Sequence, residues 1–510
     1  MKNGGNAVDA AVAVSFCLGV TEFQSSGLGG GGFLLFYNKK TGSVTSLDFR
    51  NQPELFIAVP GELKGLHQLW QNNGKRNWED LIAPSIELAR DGFVVSKDLA
   101  KAASSFKQFD PENKNFSPLL NLIRPEGKPV QKGSTLKRPV LASTLEKIQK
   151  DPDVLYRGEI DIANDLPTGS LLTKSDFQDY SVSEERAVPS TSFSGKTMYG
   201  VPLPASGVVQ QLLENVMKEY KNNRNVLAYH RLIESFKFGF AIRNILGDLN
   251  HDPNKNDPTK SLQNLYTKFQ EENYANELKK RINDTKTFNK FNHYTFGLPI
   301  TTDYSDVEKD DNETSTTHIA IIDQDGNAVS LTTSVGYLFG SGLLSKSTGI
   351  LLNSDMIGFS FRGSEEFFDL PYNPNNLIEG GKRPLSSMCP TIVTDSNDGS
   401  ASLVVGGAGG SRIITAVSLA IVRHFFFGEK VCESVNDKRV HHQLVPNKVF
   451  VEPGFSEEII SELRGKGHEI DVKKLGTEDK PTAVHAVGRS LSGGLIAACD
   501  KRLSGEPAGW

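Results

Sequence analysis

The sequence predicts an α+β protein, with helices gathered in one part of the chain and strands in another. From about residue 60 to 300, apolar positions recur mainly at helical spacing. After 316 the texture changes to short β-branched runs separated by glycine-rich turns. The clearest single element is a hairpin. A strand up to Asp323 meets the turn signal Gln324-Asp325-Gly326-Asn327, and a second strand follows over Ala328–Thr333.

Residues 7–20 are apolar on all faces and predict a buried helix. The run Ser25–Gly32 and the strand 33–37 follow. Gly27, Gly29 and Gly32 formally match a dinucleotide fingerprint, but that motif needs strand, glycines, then helix. Here the order is reversed, so a tight backbone turn is expected instead. A second strand, 44–49, ends at Arg50, which is either an ordinary solvated or salt-bridged residue or presents a planar fork to a carboxylate. Helices are predicted over 79–92, 140–150, 207–219, 226–246 and 260–282, with a polar loop at 248–260. Nothing in this half of the sequence offers a metal cluster or a compelling acid–base pair.

Residues 301–315 read as an acidic linker carrying Asp303, Asp306, Glu308, Asp310, Asp311 and Glu313. Such a segment can be cut without disturbing a core. Thr316 stands where it meets the first strand of the hairpin. A cut before Thr316 would place a hydroxyl nucleophile and a free α-amine on one residue; uncut, it is an ordinary strand-starting threonine. Further on, Ser386 and Ser387 precede a strand at 391–393. A strand at 403–405 then runs through Gly406–Arg412 into a helix over 412–427. A strand–glycine–helix turn leaves backbone N–H groups free at the positive end of the helix. They can hold an oxyanion, or the glycines can simply allow close packing. The segment lacks the Lys-Ser/Thr pair of a phosphate loop.

The totals exclude several classes. At 510 residues and net charge −5 there is no basic field to attract nucleic acid. Hydrophobic content of 38% and charged content of 23% fit a globular protein. No apolar run is long enough to span a membrane, and Met1–Asn6 leads straight into a helix without the pattern of a signal peptide. Cys17, Cys389, Cys432 and Cys499 show neither metal-ligand spacing nor a disulfide framework.

Taken together, these residues resemble the γ-glutamyltransferase (glutathione hydrolase) family of N-terminal-nucleophile hydrolases. The likeness runs from Gly5–Ala11 through Gly27–Phe33, Val59–Glu62 and Tyr229–Glu234. It continues through Thr316-Thr317-His318, Gly349–Asn353, Lys382–Met388 and Gly409-Gly410 to the closing Gly505–Trp510, an ending similar to animal members. The resemblance implies a four-layer αββα sandwich formed by two chains from one precursor. Residues 1–315 would be the large subunit and 316–510 the small one, interleaved in one domain. The family pattern of Thr, a small or hydroxyl residue, then His selects Thr316 over Thr317. By resemblance, Thr316 attacks the γ-carbonyl of glutathione or another γ-glutamyl compound, and its own α-amine handles the proton. The amides of Gly409 and Gly410 would hold the oxyanion, and Ser334 would bond the nucleophile. Arg50, Ser386 and Ser387 would grip the α-carboxylate, and Asp355 would face the α-ammonium. The acceptor would be water, an amino acid or a dipeptide. No metal or cofactor is implied, and the location would be extracellular or cell-surface.

The sequence departs from the family at four places. Gly336 and Gly358 stand where the family has an Asn and an Asp that help hold the α-amino end. Losing two such contacts is expected to weaken donor capture by roughly two to four orders of magnitude. The connection from Arg50 to Pro60 is short. Met1 begins inside what is a longer N-terminal region in animal members, which pair the cysteine matching Cys17 with one further upstream. The departures at 336 and 358 point to the alternative of a self-processing secreted protein that acts by binding, in the manner of a toxin, with little catalysis.

Overall fold

The computed structural model describes residues 1–51, 57–106, 114–160, 162–167, 172–220, 224–299, 314–360, 370–473, 475–477, 480–490 and 493–509. In chain order, the strands that build its two main sheets are β1 (Gly31–Asn38), β2 (Ser43–Asp48), β3 (Ser183–Glu185), β4 (Ser190–Phe193), β5 (Lys196–Gly200), β6 (Thr314–Ile322), β7 (Ala328–Tyr337), β8 (Thr391–Asp395), β9 (Ala401–Ala408), β10 (Ala483–Arg489) and β11 (Leu495–Ala498). The first sheet runs β3-β2-β1-β7-β6 and the second β11-β10-β9-β8-β5-β4, with every neighbouring pair antiparallel. Each sheet draws strands from both sides of residue 316, so the two pieces of sequence interleave.

Side-chain alternation turns these sheets into four layers. Phe33, Leu35, Ile322 and Ala328 of the first sheet meet Ile392, Ala401 and Val404 of the second. The opposite face of the first sheet (Leu34, Phe36, Ile319, Ile321, Val329, Leu331) packs on helices α1 (Ala7–Thr21), α2 (Glu62–Asn73), α3 (Trp78–Asp91) and α4 (Pro139–Lys150). The opposite face of the second (Met198, Val393, Leu403, Val405, Val484) packs on α5 (Gly207–Met217), α6 (Val226–Arg243) and α7 (Arg412–Phe425). Each such side chain, fully buried, contributes roughly 1.5–3 kcal/mol. The predicted αββα sandwich is the observed fold.

Local chemistry fixes the ends of these elements. Asn6 and Asp9 form a reciprocal cap on α1. Asp323 then ties that helix to the hairpin turn: Oδ2 accepts from the Ala7 N–H at 3.0 Å, and Oδ1 accepts from Asp325 and Asn327. Two expectations need correction. The single helix over 260–282 is two, Leu262–Gln270 and Glu272–Lys279, separated by an extended Glu271. The break lets Phe269 and Tyr274 enter the same core, with ring centroids 5.1 Å apart. The largely helical stretch also contains β3, β4 and β5, whose short polar alternation (Ser190-Thr191-Ser192-Phe193) is too brief to register as a strand without its partners.

Candidate active site

The predicted cleavage junction lies on β6. Its ladder with β7 runs Ser315↔Gly336, then Thr316↔Ser334, leaving Val335 as an extra residue that bulges the partner strand. The bulge aims the Ser334 hydroxyl at the bond between Ser315 and Thr316. Ser334 Oγ donates to the Ser315 carbonyl at 2.5 Å and accepts from the Gly336 N–H at 2.9 Å. The Ser315 hydroxyl donates to Ser25 Oγ at 2.8 Å, and the Ser25 carbonyl accepts from the Val335 N–H. The junction is therefore held from both sides, by β7 and by the turn that follows α1. Ser25 carried no signal of its own in the sequence beyond its place ahead of the glycine run.

Thr316, His318 and Ala320 alternate onto the face that meets the second sheet. Ser330, paired with Ala320, donates to the Val405 carbonyl at 3.2 Å and accepts from the Thr391 N–H at 3.1 Å. His318 lies against Gly406, where an added Cβ would fall 2.3 Å from the imidazole Cε1. One step further along β6, Thr316 falls on the same face, and β9 runs on past Gly406 into Gly409 and Gly410. Both glycines have positive φ, at 128° and 61°, and lead into α7. Among the described residues neither amide N–H finds an acceptor, which suits donors aimed at a ligand. His318 donates or accepts through Nδ1 with Thr332 Oγ1 at 2.9 Å, and its Nε2 has no partner among the described residues. Burial and the neighbouring His485 hold its pKa well below the ordinary value, so the ring is neutral.

A second group converges beside β7. Arg50 and Asp355 are both buried, with Nη2 and Oδ1 3.3 Å apart. Asn51 donates to Asp355 Oδ2 at 2.6 Å. Burial raises the Asp355 carboxyl, opposed by Arg50 and Asn51. Among the described residues, Arg50 Nε and Nη1 have no hydrogen-bond partner. A buried guanidinium with idle N–H groups is costly unless a carboxylate or similar fork completes it. The two glycines at which the sequence departs from the family belong to this group. A Cβ on Gly336 would lie 3.3 Å from Asp355 Oδ1, and one on Gly358 would lie 3.7 Å from Arg50 Nη2 and 3.0 Å from Pro384 Cβ. Ser386 and Ser387 follow Pro384 and are buried. Ser386 is fixed through its N–H to the Pro204 carbonyl and its carbonyl to Ser206 Oγ, with its own Oγ accepting from the Met388 N–H. Ser315 pairs with Gly336, so the chain Ser315–Gly336–Asp355–Arg50 links this pocket to the predicted junction. Residues 52–56 of the short connection after Arg50 lie outside the described residues.

The fold also gathers a buried cluster where the sequence offered none. His230, Glu234 and His468 place ligand-type atoms within 4.8 Å of one another. Its groups already serve each other. His230 bonds His468 at 2.7 Å and the Asn283 carbonyl at 2.8 Å, while Glu234 accepts from Thr287 and Tyr294 and has the Lys237 ammonium at 3.6 Å. Helical spacing (230, 234, 237) was readable in advance, but its partners come from distant loops.

Comparison with known proteins bears on this geometry. The family model described as gamma-glutamyltranspeptidase matches residues 1–55 and 52–510. Glutathione hydrolase 3 of Arabidopsis thaliana is 33% identical over 563 residues, covering 100% of this chain and 84% of the plant protein. The glutathione hydrolase proenzyme of Escherichia coli is 33% identical over 511 residues, covering 93% and 83%. Scoloptoxin SSD14 of Scolopendra dehaani is 31% identical over 543 residues, covering 100% and 89%. Among solved structures, the cephalosporin acylase from Bacillus halodurans superposes with a TM-score of 0.82 at 23% identity, covering 100% of this chain and 92% of that one, a likeness of fold.

Proposed function

The chain belongs to the γ-glutamyltranspeptidase family, and on that premise we propose that it is a self-processing γ-glutamyl hydrolase and transferase in which Thr316 is the nucleophile. In the precursor, Thr316 Oγ attacks the Ser315 carbonyl carbon while Ser334 polarises that carbonyl. The C–N bond breaks, the Thr316 nitrogen takes up the hydroxyl proton, and water hydrolyses the resulting ester. The large piece 1–315 and the small piece 316–510 stay interleaved through both sheets. In turnover, the freed α-amine accepts the Thr316 hydroxyl proton as Oγ attacks the γ-carbonyl of the donor, and returns it to the departing amine nitrogen. The amides of Gly409 and Gly410 stabilise the oxyanion; losing one such donor typically raises a barrier by roughly 3 kcal/mol. Water or an acceptor amine then releases the γ-glutamyl group.

The observation that carries this reading is the Arg50 guanidinium. It is buried with N–H groups that no described residue engages, one strand away from the hydroxyl that holds the Ser315 carbonyl. A donor with an α-carboxylate and a γ-amide separated by three carbons fits that pairing of carboxylate reader and nucleophile. Ser386 and Ser387 complete the grip on the carboxylate, and Asp355 faces the α-ammonium. Glutathione is such a donor; water, amino acids and dipeptides are the acceptors. No helix among the described residues is long and apolar enough to cross a membrane, and the extracellular or cell-surface location is part of the proposal.

A chromogenic γ-glutamyl anilide tests the activity. Purified protein is expected to run as two bands, the smaller beginning at Thr316, and to release the anilide. Thr316→Ala is expected to give a single band and no turnover. A wild type that stays uncut refutes self-processing. A scoloptoxin relative, together with glycine at 336 and 358, favours a second reading, a matured binding protein with little catalysis. Two bands without turnover would select it.

A further inference from the structure

Asp48 and Arg383 stand behind the pocket without touching the place where substrate would sit. We infer that this ion pair is a positioning pair for the donor, in which one carboxylate holds both halves of the α-carboxylate site in register. The inference rests on the γ-glutamyl reading above. Asp48 closes β2, and its Oδ1 accepts from the Arg50 backbone N–H at 2.8 Å. Its Oδ2 faces Arg383 Nη1 at 3.3 Å. Arg383 immediately precedes Pro384 and the Ser386-Ser387 segment. It is fixed on its other sides by Nη2 donating to the Ser181 carbonyl at 2.6 Å and by its backbone N–H donating to Asp248 Oδ2 at 2.9 Å. Tyr180 Oη donates to the Arg50 carbonyl at 3.2 Å. Both partners are largely buried, with side-chain exposures of 13% and 7%.

One oxygen of Asp48 thus sets Arg50, and the other sets the loop that carries the serines. After the cut at Ser315 the pair crosses between the two pieces, and no peptide bond would replace it. A misplacement of about 1 Å at a binding fork is enough to cost roughly a hundredfold. The pair also explains why the pocket is built from a strand end and a loop that lie 335 residues apart in sequence. Three charged groups face the Asp48 carboxylate: Arg383 and Arg50, which favour its charge, and Asp248, which opposes it; the neighbouring Tyr180 hydroxyl is itself raised by burial and stays neutral. Burial raises its pKa to about 6. A raised carboxylate keeps its proton up to that pH, so the charged form that grips Arg383 is present above about pH 6 and lost below it.

The test compares wild type, Asp48→Asn, Asp48→Glu and Arg383→Lys, each as the full chain, on the γ-glutamyl anilide. Asp48→Asn is expected to mature to two bands and keep kcat within about threefold, while KM rises roughly ten- to hundredfold. Asp48→Glu is expected to recover most of that loss. The wild-type KM is expected to rise as pH falls through about 6, and this limb is expected to vanish in Asp48→Asn. An unchanged KM, or a fall confined to kcat, overturns the inference. If Asp48→Asn does not mature, Arg383→Lys decides. Lysine keeps the charge but cannot span Asp48 and the Ser181 carbonyl together, and an unchanged KM there overturns the pair. If wild type shows no turnover, the γ-glutamyl reading fails on its own. Calorimetric binding of L-glutamate then tests the pair: roughly tenfold weaker binding to Asp48→Asn supports it, and equal or absent binding to both proteins overturns it.

Discussion

The proposed cleavage junction and the proposed donor pocket are neighbours, yet they are built by different means. The junction is a product of ladder register. Once β6 and β7 pair, the bulge at Ser315/Thr316 places Ser334 on the carbonyl and leaves Thr316 on the inter-sheet face. The pocket comes instead from a strand end, a short turn at 355–358 and a loop, held by the Arg50–Asp355 and Asp48–Arg383 ion pairs. A register cannot shift by one residue without moving every side chain to the wrong face. A loop pocket can lose a contact and still fold. The glycines at 336 and 358 both fall in the pocket, where such change is tolerated.

If this division is right, substitutions in the two regions separate cleanly. Ser334→Ala removes the donor on the scissile carbonyl. Self-cleavage is expected to slow by roughly 10²–10³, read as the half-time for appearance of the small band. Cleavage at the wild-type rate would break the comparison. Arg50→Gln is expected to leave the two bands intact and to weaken donor capture by roughly a hundredfold, seen as a rise in KM. Loss of maturation in this variant would mean that pocket and junction fold as one unit.

The same division explains what could be read in advance. The hairpin, the helix–glycine–strand turn at 27–33 and the strand–glycine–helix turn at 403–412 are local patterns, and each appears where the sequence put it. Thr316 was marked by its linker and Arg50 by its strand end, both local signals. Strands β3, β4 and β5 were missed because a few polar alternating residues become a strand only when a sheet edge accepts them. Asp48, Arg383 and Asn51 were missed because their roles depend on partners hundreds of residues away, and the spacing of a single charge says nothing about what it will meet. The His230–Glu234–His468 cluster was missed for the same reason.

The smallest expected effect is the most informative about the thinned ammonium side. Restoring Gly336→Asn is a poor test. Gly336 has φ of +92°, and a Cβ there would lie 2.5 Å from Ser354 Oγ, so backbone and neighbour would both be strained. Gly358→Asp meets fewer objections. Its φ is not in the left-handed region, and the tightest approach of the new Cβ is 3.0 Å to Pro384 Cβ. The new carboxylate would act in two opposing ways. It would offer an acceptor to the α-ammonium, and it would lie close enough to Arg50 Nη2 to compete with the donor's α-carboxylate. With a γ-glutamyl anilide the two effects oppose each other, and KM is expected to fall by only about threefold. With a glutaryl anilide, which lacks the amine, only the competition remains, and KM is expected to rise. The preference for the aminated donor should therefore grow by roughly tenfold, about 1.4 kcal/mol. Equal changes for both donors would mean that position 358 does not face the α-carbon, and the ammonium side of the pocket would have to be sought elsewhere.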